Sequence, residues 1–505
     1  MPKTLVCTTY TGAQVGKHEA IVLSPIQRLP FDVLEHIFLR CLSDPLDQVQ
    51  PKINAPPMLL CHVCSSWRTI ALEIPALWTH IHHRLPMERL GGRLQLWNKM
   101  VFHRKLTFLK WWRRNQGKRA TFIRLRIYRK TGDTSLRRFD VDKDAENFFD
   151  EFMSSAQYLD VGPFMFDQRL RPIESSYPQL LSLVSSHPNY NLDEDTYVRR
   201  RDREAQDLFP TIPRTLQRLR LHHVSFPEHY SSAGRFKSWC NLTHLSLNYT
   251  FLDQKSWLSI ARAVPNLQWC YLDVIIRAGS ELVQGAAKIQ LPFLSTFTAV
   301  VDYSEYRDTN HPSLWLLLQG LDLPVLRDLA IYTDGNPSDY PLITMSIEDG
   351  LIETPTITTL TIGLQFQGFF CDSEESAAPQ DWSLMTPLST YAPHIAHLVL
   401  DLCYVDRCGR YDEPLLEEKL RHWRNLLRRS KGWMDIGEPS SAIRKITTVV
   451  KSLAIDKPLV EAAFQDALDL DKQEASREIV FEVVEADKWR VAPYAEGWKT
   501  WSSVV

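Results

Sequence analysis

Residues 213–276 read PRTLQRLRLHHVSFPEHYSSAGRFKSWCNLTHLSLNYTFLDQKSWLSIARAVPNLQWCYLDVII, and three phrases in this stretch share one form: LQRLRL from Leu216, LTHLSL from Leu242 and LQWCYL from Leu267. Each runs apolar, two variable positions, apolar, one variable position, apolar. The closing alternation has the period of a strand with one buried face, whereas SWLSIARAVPN between the second and third phrases carries helical spacing. Further along, LSTFTA starts at Leu294, LRDLAI at Leu326, ITTLTI at Ile357 and IAHLVL at Ile395. Successive starts are separated by 26, 25, 27, 32, 31 and 38 residues, usually with Pro two residues ahead. Weaker copies are LLSLVS at Leu180 and FIRLRI at Phe122. One strand and one return segment per repeat predict an α/β strand-helix solenoid, because a single unit of this kind cannot bury its apolar edge and must stack.

The pattern resembles leucine-rich repeats, with departures. The Asn or Cys that usually follows the strand in that family is replaced by Val224, Thr250 and Ile275, and the repeat lengths drift. The expected array is therefore irregular, over residues 84–410. Beyond Cys408 the phrase is not recognised. EPLLEEKLRHWRNLLRRS from Glu413 has acids early and bases late, as a helix dipole favours. With REIVFEVVEA as one further strand, residues 411–505 are read as a helical cap on the array.

Ahead of the repeats, LPFDVLEHIFLRCL begins at Leu29. Pro30 suits a helix start and Asp32 meets its positive end, while Val33, Leu34, Ile37, Phe38, Cys41 and Leu42 share one stripe. The connection SDPLDQVQPKINAPP is too Pro-rich for regular helix. A second helix is expected after Pro57, with Leu60, Val63, Cys64, Trp67, Ile70, Ala71 and Ile74 in phase, closed by Pro75 and followed by the apolar turn Ala76, Leu77, Trp78.

The order Leu-Pro, apolar pairs, Val-Cys-x-x-Trp-Arg-x-Ile-Ala and Pro-x-Leu-Trp over residues 29–81 resembles the F-box family, and the long connection is similar to that of fungal members. The resemblance implies a three-helix F-box at 25–83, after an N-terminal segment 1–24, that docks on a SKP-type adaptor and through it a cullin. The matching positions are Leu29, Pro30, Leu34, Ile37, Phe38, Val63, Cys64, Trp67 and Trp78. It further implies a non-catalytic receptor whose repeat surface presents a protein cargo for ubiquitin transfer. In leucine-rich arrays the residues alternating with the buried strand positions line the concave face, and periodicity nominates Arg218, Arg220, His222, His244, Ser246, Asn248, Trp269, Tyr271 and Asp273 for the cargo.

Composition limits the alternatives. The start, MPKTLVCTTYTGAQ, lacks the charged-then-apolar run of a secretory signal, and no stretch is apolar enough to span a membrane. Nine scattered cysteines fit reduced thiols in cytosol or nucleus. The formal net charge of −2 hides an asymmetry: residues 84–138 hold 17 Lys/Arg against 2 Asp/Glu, so the remainder carries −17. WWRRNQGKR and FIRLRIYRK in this stretch interleave cations with Trp111, Trp112, Phe122 and Tyr128, which is also how single-strand nucleic-acid grooves are built. A nucleic-acid-associated or purely scaffolding repeat protein is thus the alternative. Leu106, Leu109, Lys110 and Arg113, however, fit the outer helix of an early repeat, so nucleic acid is not the expected partner.

Enzyme signatures are missing from the sequence. GAQVGKH from Gly12 has three residues between its glycines and ends in His18, unlike a phosphate loop, and no GxSxG, HExxH or GxGxxG pattern occurs. Cys61 and Cys64 with His80, His82 and His83 form the one metal-like set, but Cys64 falls on the apolar helix phase with Trp67. No metal and no cofactor are expected.

Overall fold

The computed structural model describes residues 28–42, 55–85, 87–90, 93–96, 99–117, 119, 121–127, 139–140, 143–161, 179–185, 213–222, 226, 236–252, 254–276, 288–302, 317–335, 351, 354–366, 394–401, 443–450, 457–458, 460–462 and 480–485. Thirteen strands in this set form one sheet: His80–Leu85, Thr121–Ile127, Ala156–Val161, Ser182–Ser185, Arg218–His222, His244–Leu252, Trp269–Ile276, Thr296–Asp302, Asp328–Gly335, Thr359–Phe366, His397–Asp401, Lys445–Val450 and Val480–Glu485, here β1 to β13. Their order in the sheet is their order in the chain, and every neighbouring pair is parallel. A parallel neighbour requires the chain to return to the starting edge after each strand. Doing so without a change of order gives a mixed α/β, solenoid-like architecture.

The phrase spacing sets the register. Arg218 lies opposite His244, His244 opposite Trp269, and the row continues through Thr296, Asp328, Thr359 and His397. These offsets reproduce the 26-, 25-, 27-, 32-, 31- and 38-residue intervals of the sequence. Both weaker copies are also strands, β4 and β2. First-position residues Leu216, Leu242, Leu267, Leu294, Leu326, Ile357 and Ile395 are buried, as are Leu219, Leu245, Cys270, Phe297, Leu329, Leu360 and Leu398 three places on. Each phrase thus adds a rung to one core.

Among the described residues six α-helices accompany the sheet: α1 (Phe31–Arg40), α2 (Met58–Val63), α3 (Ser65–Glu73), α4 (Lys99–Gln116), α5 (Lys143–Ser154) and α6 (Gln254–Ala263). The last three are returns between β1 and β2, β2 and β3, and β6 and β7. In α6, Trp257 is fully buried and its indole N–H donates to the carbonyl of Leu317 at 2.7 Å. That bond ties the return of one repeat to the chain 60 residues later.

Three features depart from the sequence reading. The single helix expected after Pro57 is two, because Cys64 is extended (φ −159°, ψ 173°) and its Sγ accepts the N–H of Trp67 at 3.4 Å, capping α3. An antiparallel hairpin, Met87–Leu90 with Arg93–Leu96, intervenes before α4, and Phe139–Asp140 joins it. Finally, the sheet does not stop near residue 410: β12 and β13 extend it within the segment read as a helical cap. The β12 phrase is Ile443, Ile446, Thr448, with a buried hydroxyl residue in place of the third apolar one, and that substitution hides it. REIVFEVVEA does hold the expected strand, β13. The stretch from Glu413 expected as helix, the segment 1–24 and the glycines around Gly12 lie outside the described residues.

The N-terminal helices and the sheet share one core. A continuous buried cluster runs from Leu34 through Trp78 and Trp112 to the strands and on to Val460. At the junction, Trp78 packs edge-on against Trp111 and Trp112, with ring centroids 5.0 and 4.9 Å apart. This joint packs the helices of residues 25–83 directly onto the first return helix of the array.

Candidate functional site

The N-terminal helices place their nominated residues in two groups. Leu34, Phe38 and Trp78 are interior, at 4%, 0% and 0% exposure, and hold the helices together. Trp78 also donates its indole N–H to the carbonyl of Ala71 at 2.9 Å. Leu29, Ile37 and Trp67 are partly buried and lean on the core, Trp67 through the ring of Phe38 at 4.9 Å. Cys64 is partly buried, and Pro30 and Val63 are exposed. Three apolar residues not nominated, Phe31, Val33 and Leu59, stand with Val63 among the exposed large hydrophobics. Phe31 and Leu59 lie off the inward stripe that the sequence reading sought, and Val33, which that reading placed on the stripe, is corrected to the exposed side.

The residues nominated for cargo stand on β5, β6 and β7, and apart from His222, whose side chain is outside the description, they lie on the face of the sheet opposite the core. Arg218, His244 and Trp269 form one row, and Arg220, Ser246 and Tyr271 the next. His222 pairs with Asn248, and Asp273 faces Val300 after a register shift in β7. Trp269 and Tyr271 stack with nearly parallel rings, 6.3 Å apart. Period-two logic therefore identified the face.

It did not predict the burial. Arg218, Ser246, Asn248, Tyr271 and Asp273 are all buried, leaving Arg220, His244 and Trp269 partly accessible. Tyr271, Val300 and Tyr332 form a second apolar cluster on this side, flanked by Trp269 and Ala330. Strands in a sheet lie about 4.8 Å apart, so bulky side chains on successive turns shade one another. The hydroxyl of Ser246 donates to Asn248 Oδ1 at 2.7 Å, occupying polar groups that were assigned to a partner.

Burial sets the electrostatics. It lowers the Arg218 pKa to about 10. Burial, with the charge of Arg218 beside it, pushes His244 down to about 4. At the other end of the same row His80 is pushed to about 4 by burial alone, and His397 is lowered by burial and by Lys445. Two of these histidines sit after a threonine whose hydroxyl meets the ring Nδ1: Thr79 with His80 and Thr243 with His244, each at 2.9 Å. The His80 ring also stacks on Phe122 at 4.2 Å, while its buried Nε2 has no hydrogen-bond partner among the described residues, an environment that holds the imidazole neutral.

A polar ladder was missed. Asn241 donates its side-chain amide to the carbonyl of Arg214 at 2.7 Å, Asn266 to Cys240 at 2.8 Å, and the Thr356 hydroxyl donates to Leu326 at 2.7 Å. Each stands immediately before a phrase and bridges to the preceding turn. The signal was present in the repeated Asn-Leu at 241–242 and 266–267.

The basic stretch contributes α4, whose buried side carries Phe102, Leu106, Leu109 and Trp112 and whose exposed side carries His103, Arg104, Lys110 and Arg114. Lys110 lies over the ring of Phe148 at 5.6 Å, and Arg113 donates to the carbonyl of Gly117 at 2.8 Å. Cys61 is buried, its thiol pKa raised by that burial, and Cys64 serves as the cap of α3. Among the described residues no group of three or more His, Cys, Asp or Glu is placed to hold a metal, and no helix is long and apolar enough to cross a membrane. No protein-family model matches the chain, and no curated protein matches it.

Proposed function

We propose that the chain is the substrate-recognition subunit of a SKP-cullin-F-box-type ubiquitin ligase, with the N-terminal helices engaging a SKP-type adaptor and the repeats engaging a protein cargo. The observation that carries the reading is the apolar surface on those helices: Phe31, Val33, Leu59 and Val63 are 38%, 39%, 43% and 53% exposed, although the same helices fill their own interior. Exposed apolar residues grouped in one small module mark a protein interface. The F-box-like motif supplies the identity of the partner. Catalytic consequence arises from proximity, which raises the effective concentration of cargo lysines near a charged conjugating enzyme. The proposal requires no active site in this chain and places it in cytoplasm or nucleus.

Reconstitution tests the reading. Purified full-length chain, a SKP-type adaptor and a cullin are run on size exclusion together and pairwise. Co-elution of all three supports it, and elution of the chain apart from the adaptor overturns it. A second reading, a scaffold or nucleic-acid-associated repeat protein, is favoured by the exposed cations of α4. An adaptor complex that excludes the cullin would select that reading.

A further inference from the structure

The edge where the strands begin carries a groove of about 560 Å³ that crosses successive turns of the repeat, lined among others by Gln217, Asn241, Thr243, Asn266, Gln268 and Phe293. Its floor is repetitive. Asn241, Asn266 and Phe293 each stand one place before a phrase, and Gln217, Thr243 and Gln268 each stand at its second place. Equivalent side chains on adjacent turns are therefore held about one strand spacing apart, roughly 4.8 Å. The main chain fixes them there: Thr243 N–H donates to the carbonyl of Gln217, and Gln268 N–H to that of Thr243, both at 2.8 Å.

We infer that this groove docks a short extended peptide segment of a protein partner, with the carboxamides contacting its backbone and Phe293 seating an apolar side chain. Each carboxamide offers a donor and an acceptor, the complement of a peptide group. Asn241 and Asn266 have one N–H committed to the preceding turn, at 2.7 and 2.8 Å, which fixes the amide plane before any ligand arrives. Preorganisation of this kind lowers the ordering cost of binding. Gln217 and Gln268 are exposed. At the far end Phe293 is 55% exposed, and Val325, in the same position of the next phrase, is 39% exposed, so an apolar step follows the polar floor. The four turns from Gln217 to Phe293 span three strand spacings, roughly 14 Å, about the length of four extended residues. The apolar step favours a peptide over a glycan, which would meet amides and an aromatic ring but have no use for Val325.

This deepens the proposed receptor role by naming what the repeats would hold, and it relocates cargo from the buried sheet face to the strand-entry edge. It does not depend on the adaptor. The test is selection of a phage-displayed random dodecapeptide library on the immobilised full-length chain, followed by fluorescence-anisotropy titration of an enriched peptide. Gln268→Ala and Phe293→Ser change exposed side chains, and each should weaken binding about tenfold or more, while Phe293→Leu retains it. Thermal melting of each variant confirms folding. Absence of enrichment, enriched peptides that bind Phe293→Ser and the parent equally, or a glycan displacing the peptide from the groove would overturn the inference. Adaptor binding, measured in parallel on the same preparations, reports separately on the proposed function: its loss there leaves the groove result standing.

Discussion

Trp112 donates its indole N–H to the main-chain carbonyl of Trp78 at 2.6 Å, joining the return helix of the first repeat to the last turn of the N-terminal helices. Both side chains are fully buried. Trp112→Phe removes the donor and leaves that carbonyl short of a partner, a loss expected at about 1–3 kcal/mol. Trp112→Ala adds a cavity and should cost about 3–5 kcal/mol. Urea denaturation followed separately by a probe in the helices and one in the repeats checks this. Because the core is continuous, both probes should shift together.

Stability should fall on mild acidification. His80 and His244 are pushed down to about 4 in the folded chain, His80 by burial and His244 by burial and then by the charge of Arg218, against about 6.5 when unfolded. Between those values the unfolded state binds more protons, so the contribution is whole above about pH 6.5 and is lost as pH falls toward 4. The two together should account for a few kcal/mol. Urea midpoints of parent and a His80→Gln, His244→Gln double variant, taken from pH 7 to pH 4.5, read it directly. The parent should lose more than the variant, and parallel curves would contradict the assignment.

Cys64 acts as a helix cap, a role in which its hydrogen-bonding atom is what counts. Cys64→Ser should preserve stability or raise it, since a hydroxyl is the stronger acceptor, whereas Cys64→Ala should cost about 0.5–2 kcal/mol. Thermal melts of the three proteins decide it. Stoichiometric zinc in protein purified without added metal, lost in Cys64→Ser, would instead assign the thiol to a ligand set.

The exposed cations of α4 are expected to be solvated surface. Titration with single-stranded RNA and DNA at physiological salt should show no binding tighter than about 10 µM. A steep salt dependence removed by Arg104→Glu, Lys110→Glu and Arg114→Glu together would establish a phosphate-binding stripe.

The repeats were legible because their information lies between turns: Leu216, Leu242 and Leu267 recur at the same phase, and buried positions tolerate few residue types. The β12 strand escaped because Thr448 takes an apolar position and its phrase starts 48 residues after Ile395. The break at Cys64 escaped for a different reason, since cysteine is not among the preferred caps and the apolar phase runs through it unbroken. At the candidate sites, periodicity told which face Ser246 and Tyr271 occupy. It could not tell that neighbouring turns would bury them, because shading depends on the bulk of side chains 25 residues away. Asn241 closes a short 3-10 turn and Asn266 stands in a loop, both outside the strand and α-helix phases, and only their placement on adjacent turns gives them a common edge.

The central claim is that the N-terminal helices dock a SKP-type adaptor through their exposed apolar side chains. Isothermal titration of purified adaptor into the parent chain and into Val63→Asp measures it most directly. Val63 is 53% exposed, so its replacement should leave the melting temperature unchanged while placing an unpartnered charge in an apolar interface. The account predicts saturable binding to the parent and a loss of about 2–4 kcal/mol in the variant. Failure of the folded parent to bind, or equal affinity of parent and Val63→Asp, would contradict it.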